Sequence, residues 1–178
     1  QYLTFVGPVV GPTAGVPLGF IWESRVLIFA ALAAYLVITV GFFVFVRKDP
    51  ITKPLRASTM IFLAPVCLFA LGFSILGYES LFSFFWVAGD VVLLVLVFLM
   101  PWMLRGGYTP VWASFTFPLA SWFNVQVLAL VKGHGLIAEI GTYIGMAVAT
   151  PVVFYIMYRT VIAWVTGELA QKSHAATA

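Results

Sequence analysis

Trp112-Ala113-Ser114-Phe115-Thr116-Phe117-Pro118 opens the stretch whose reading decides the fold. It sits inside a run from Gly106 to Val131 that holds no charged side chain. A helix needs about 20 mostly apolar residues to cross a hydrocarbon core of about 30 Å, and this run supplies them. Pro118 cannot donate its backbone N–H, and it crowds the carbonyl of Ser114 four residues back. The motif therefore predicts a spanning helix bent near Phe117. In hydrocarbon a freed carbonyl is tolerated only where protein or a water-filled cavity satisfies it. A bent helix with a bulky ring at the bend suits a pore or a gate. It equally suits plain helix packing.

Outward from this motif the same apolar character recurs. Hydrophobic residues make up 63% of the chain and charged residues 8%, with a mean hydropathy of +1.09. Ordinary soluble domains carry about 25% charged residues. Uncharged stretches run 1–22, 26–46, 57–78, 106–131 and 140–158, and a further one, 80–104, is broken only by Asp90. The expectation is an all-α polytopic membrane protein of six transmembrane segments: 3–18, 22–46, 57–76, 81–104, 111–131 and 136–166. Short connections make helical hairpins of them. Arg47-Lys48-Asp49-Pro50 with Lys53, Pro54 and Arg56 is one loop, and Gly106-Gly107 and Gly133-His134-Gly135 are sharp breaks. Residues 1–178 read as a single transmembrane domain ending in a short polar tail, 168–178. The chain opens at Gln1 within an apolar segment and without a basic leader, which fits a processed form or a fragment of something longer.

Charge placement gives an orientation. Arg47, Lys48, Lys53, Arg56, Arg105, Arg159 and Lys172 fall on one side of the six segments, against Arg25 and Lys132 on the other. Seven against two puts the 47–56 and 105–110 loops and the C-terminus in the cytoplasm, with a bacterial inner (plasma) membrane as the expected location. Trp22, Trp102 and Tyr108 near segment ends read as interface anchors. The net charge of +3 is explained by these loops and calls for no nucleic-acid partner. Prolines alternate too. Pro8, Pro12 and Pro17 lie in the first segment, Pro65 in the third and Pro118 in the fifth, while the second and fourth have none in their interiors. Broken backbone needs a protein-lined or wet environment, so the odd segments are expected inside and the even ones outside; Pro151 in the sixth departs from the pattern.

Trp112 to Pro118 with Leu119-Ala120 resembles the signature of the TehA / tellurite-resistance and dicarboxylate transporter family, which includes the slow-type anion channels of plant guard cells. Phe5-Val6-Gly7-Pro8 through Pro12 to Phe20 and Leu63-Ala64-Pro65 through Phe73 add to the resemblance. It implies a fold of ten helices, in five hairpins arranged quasi-symmetrically around a central pore, commonly as a homotrimer. On that scheme this chain supplies helices five to ten and is the C-terminal part of a longer one. The resemblance also implies a phenylalanine gate, for which the matching residue is Phe117, and a largely uncharged pore that small inorganic or organic anions traverse.

The residues themselves leave alternatives open. Ala113, Phe117, Ala120 and Asn124 share one helical face, a small and partly polar stripe with a single large ring. It suits a narrow pore closed by a plug, bent at Pro118 and, on the other inner segments, at Pro65 and Pro12. With 17 phenylalanines in the chain, an ordinary packing knob is the competing account. Asp90 is an intramembrane charge, costing at least ~2.5–3.5 kcal/mol at mid-bilayer unless paired or protonated. It is either a proton-coupling site or a structural contact to a neighbouring helix or subunit. Cys67 stands alone and reads as a small core residue. No nucleophile–base pair, phosphate loop or metal motif is evident in the sequence, so neither an enzyme nor a bound cofactor or metal is expected. Three functions remain: a gated anion channel, a proton-coupled exporter of dicarboxylate, sulfite or tellurite-like anions, and a truncated structural subunit of a larger membrane complex.

Overall fold

The computed structural model describes residues 6–48 and 51–169. It is all-helical, and among the described residues five helices are long and apolar enough to cross a membrane: Ile21–Val46, Lys53–Ile75, Glu79–Gly106, Pro110–Val131 and Leu136–Val165. These are five of the six segments expected. The first, 3–18, is described from residue 6 onward and contributes a 3-10 turn over Gly7–Val10 and a short helix, α1 (Gly11–Gly15). At 1.5–2.0 Å per residue those nine residues rise about 15 Å, half of a bilayer core. The longer elements are α2 (Ile21–Lys48), α3 (Leu63–Ile75), α4 (Glu79–Met103), α5 (Thr116–Val131) and α6 (Leu136–Val165).

Two builds of span alternate along the chain. α1, α3 and α5 each follow a stretch of 3-10 helix, over Gly7–Val10, Lys53–Phe62 and Pro110–Phe115. A proline then stands in the first turn of each α-helix: Pro12 second in α1, Pro65 third in α3, Pro118 third in α5. Backbone N–H groups of a first turn have no intrahelical partner, so proline's missing donor costs little there. The expected kink near Phe117 therefore takes another form. The span changes helix type between Phe115 and Thr116, and Pro118 sits where α-helix begins rather than in its middle. Hydroxyls bond carbonyls three residues back along these stretches: Thr13 to Val10 (2.6 Å), Ser58 to Leu55 (2.6 Å), Thr59 to Arg56 (2.7 Å) and Thr116 to Ala113 (2.7 Å).

By contrast α2, α4 and α6 are continuous over 28, 25 and 30 residues. Pro101 near the end of α4 and Pro151 within α6 leave them α-helical. Burial follows the same division. In their most apolar stretches the proline-broken spans 53–75 and 110–131 are 61% and 44% buried, against 11%, 28% and 22% for the continuous ones. Of these five spans, the two that start with 3-10 helix and a first-turn proline are thus the more buried, while Pro101 inside α4, like Pro151 inside α6, departs from the expected proline pattern.

The chain forms two compact units, one of residues 1–51 and 65–92 and the other of 52–64 and 93–178. The first is held by rings. Phe73 packs on Phe29, Phe69 and Phe85 at centroid separations of 5.6, 6.2 and 5.5 Å. Gly72 lets α2 approach, since a Cβ there would stand 2.6 Å from Ile28 Cδ1. Cys67 is fully buried in this unit, as a core residue should be.

In the second unit α5 and α6 form a hairpin closed by Gly133 and Gly135, whose φ of 80° and 73° only glycine adopts freely. Gly141, Gly145 and Ala149 make a buried stripe of small residues on α6. A Cβ on Gly145 would lie 2.6 Å from Phe123 Cδ2, and one on Gly141 would collide with the buried Gln126. Small residues four apart let helix backbones approach closely in lipid, where dispersion rather than the hydrophobic effect drives packing. The two 3-10 stretches of this unit are pinned together by Ser114 Oγ donating to the Ala57 carbonyl at 2.7 Å.

Candidate functional site

On α5 and the turn before it, the stripe Ala113, Phe117, Ala120 and Asn124 is the open face of a helix otherwise well covered. Ala113, Phe117 and Asn124 are exposed, Phe117 by 52%, and Ala120 is half-buried. Pro118, Leu119, Ser121, Trp122, Val125 and Gln126 are buried on the other side. Asn124 places an amide on the open face, whereas Ser121 and Gln126 of the same helix are buried. One side-chain amide and one ring are presented along this stripe, and a charged side chain is not.

The remaining expected residues lie in the first unit. Pro12 and Pro65 are buried, Pro12 with its ring against the open side of Gly72. Asp90, on α4, is half-buried near the buried Cys67 thiol. The neighbouring Gly89 brings α4 within reach of that thiol, a Cβ there lying 3.5 Å from Cys67 Sγ. Thus Ala113, Phe117, Pro118, Ala120 and Asn124 come together in the second unit, and Pro12, Pro65 and Asp90 belong to the first.

The second unit also holds a feature that sequence reading missed, a cavity of about 420 Å³. One wall is α4 and its end, from Leu93 through Val97 and Met100 to Leu104. A second is α6, from Ile144 through Val148 and Val152 to Ile156, and the floor is Phe115, Leu119 and Trp122 from the buried side of α5 and its 3-10 approach. Val97, Ile144, Val148 and Tyr155 are about half exposed, so the cavity opens sideways between α4 and α6. At its end stands a cation–aromatic cluster. Arg159 Nη1 donates to Tyr155 Oη at 2.9 Å, and its guanidinium lies 4.4 Å from the Tyr108 ring centroid. Tyr108 in turn hydrogen-bonds Thr160 at 3.0 Å. In the same unit, Arg56 stacks 4.8 Å from the Trp102 ring. The Tyr155–Arg159 spacing of one helical turn was the available signal. The walls were not legible, because helices apolar on every side carry no periodic mark of which side faces a cavity.

Comparison with known protein families, with curated proteins and with solved structures finds no match for this chain. The site's own geometry therefore carries the functional reading.

Proposed function

We propose that the chain is part of a membrane channel for small anions in which Phe117 plugs the conduit. The observation that supports it is the open stripe of α5. The helix is one of the two most buried spans, yet it leaves uncovered a line of alanine, one large ring and one amide with no carboxylate to repel an anion. Broken inner and continuous outer spans fit an arrangement of hairpins around a pore, here as the C-terminal six of ten helices in a TehA-like trimer. The cytoplasmic side is then that of Arg56, Arg105 and Arg159, in a bacterial plasma membrane.

The test is electrical and uses the native assembly reconstituted in planar bilayers. Phe117→Ala should raise chloride or nitrate conductance at least about tenfold if the ring contributes a barrier of ~1.4 kcal/mol or more. A wild type and variant that are equally silent, with the variant still folded, would falsify the gate.

A further inference from the structure

We infer that the cavity between α4 and α6 is a binding site for one anionic phospholipid, with an acyl chain in the groove and the headgroup phosphate on Arg159 and Arg105. This inference stands apart from the anion-channel proposal. Its first support is length. Leu93 to Leu104 on one wall and Ile144 to Ile156 on the other rise about 17 and 18 Å at 1.5 Å per residue. One leaflet of a bilayer core is about 15 Å deep. The groove therefore runs one leaflet's depth, opens sideways where acyl chains are, and has an apolar lining.

Its second support is charge. Both arginines lie at the same end of the groove. Arg105 directly follows the wall residue Leu104 and is exposed, and Arg159 lies one turn beyond Tyr155 and is bridged to Tyr108. Among the described residues the partners of Arg159 are the Tyr155 hydroxyl and two tyrosine rings, all uncharged. Its cationic charge is oriented by them and left to be met from outside. A phosphate matches the guanidinium fork, and a cationic cluster at a bilayer surface attracts anionic lipid.

Trp112 and Trp122 line the cavity and serve as reporters, because bromine on an acyl chain quenches indole fluorescence on contact. The native protein is reconstituted in phosphatidylcholine vesicles doped with an equal fraction of acyl-brominated phosphatidylglycerol or acyl-brominated phosphatidylcholine. The expected result is greater quenching by the brominated phosphatidylglycerol. That excess should be lost in Arg105→Gln/Arg159→Gln, while quenching by the brominated phosphatidylcholine persists and reports an intact fold. It should also be lost in Trp112→Phe/Trp122→Phe, which removes the reporters and leaves the other four tryptophans of the six in place. Equal quenching by the two lipids, or an excess that survives either double substitution, overturns the assignment.

Discussion

Phe73 and Phe98 occupy helices of nearly the same composition, yet Phe73 has no exposed surface and Phe98 is 83% exposed. The difference is that between a proline-broken span and a continuous one. α3 follows a 3-10 stretch over Lys53–Phe62, begins as α-helix at Leu63 and is surrounded by rings, whereas α4 runs unbroken and gives most of its surface to the outside. Irregular backbone in a membrane needs protein or water around it. Regular helix satisfies its own hydrogen bonds and can face lipid. The local build of each span therefore decides its place, although hydropathy treats all of them alike.

The sharpest way to break this comparison is to truncate both rings. Phe73→Ala removes a fully buried ring touching Phe29, Phe69 and Phe85 and should cost ~3–5 kcal/mol of stability. Phe98→Ala should stay within about ±0.5 kcal/mol. Chemical unfolding in micelles measures both. Equal losses would mean that the continuous span is as tightly held as the broken one. A second substitution sharpens the division inside the second unit. Gly145→Leu drives a side chain into Phe123, where overpacking costs ~1–3 kcal/mol, and should loosen the α5–α6 hairpin. Gly41→Leu on α2, where an added Cβ meets nothing within 4 Å, should be tolerated.

Pro118→Ala tests whether proline holds the helix switch in place. An N–H restored at position 118 can reach the Ser114 carbonyl and carry α-helix backward into Pro110–Phe115. Each residue converted from 3-10 to α geometry turns the chain by about 20° less, so six residues reorient their start by about 120°. One added backbone bond of ~1 kcal/mol should slow amide exchange around residues 116–118 roughly five- to tenfold. Unchanged exchange would show that the switch is imposed by packing and not by the proline.

Much of this was legible in the sequence, for identifiable reasons. Charges at Arg47–Arg56, Arg105 and Lys132 delimited the spans, and Gly133 with Gly135 marked a turn that requires positive φ. Pro65 and Pro118 marked the two more buried spans, but the form of the break, a 3-10 to α junction, depends on neighbours such as Ala57 that lie far away in the chain. The open face of α5 was visible because alanine and asparagine interrupt a run of large residues. The cavity was not, because Leu93, Val97 and Met100 are indistinguishable from lipid-facing residues until α6 is placed beside them. The Gly141–Gly145 pair was readable at its four-residue spacing and signals close approach, although the spacing does not say that Phe123 is what approaches.

The smallest expected effect concerns the bond that joins the two broken spans of the second unit. Ser114 Oγ donates to the Ala57 carbonyl at 2.7 Å, from one 3-10 stretch to the other. In 3-10 geometry hydrogen-bond alignment is poorer than in α-helix, so a carbonyl there is well placed to accept from a side chain outside its own helix. Interhelical bonds of this kind in membranes contribute ~0.6 kcal/mol on average. Ser114→Ala should therefore lower stability by about that amount, and the same substitution at Ser83, which bonds within its own continuous helix to Glu79 at 3.0 Å, should lower it less. A double-mutant cycle cannot delete the Ala57 carbonyl, so the informative control is Ser114→Thr, which keeps the hydroxyl. If Thr restores stability lost in Ala, the hydrogen bond and not the side-chain volume links the inner spans. If Ser114→Ala and Ser83→Ala are indistinguishable, the broken spans are held by packing alone, and the 3-10 stretches are a consequence of burial rather than its cause.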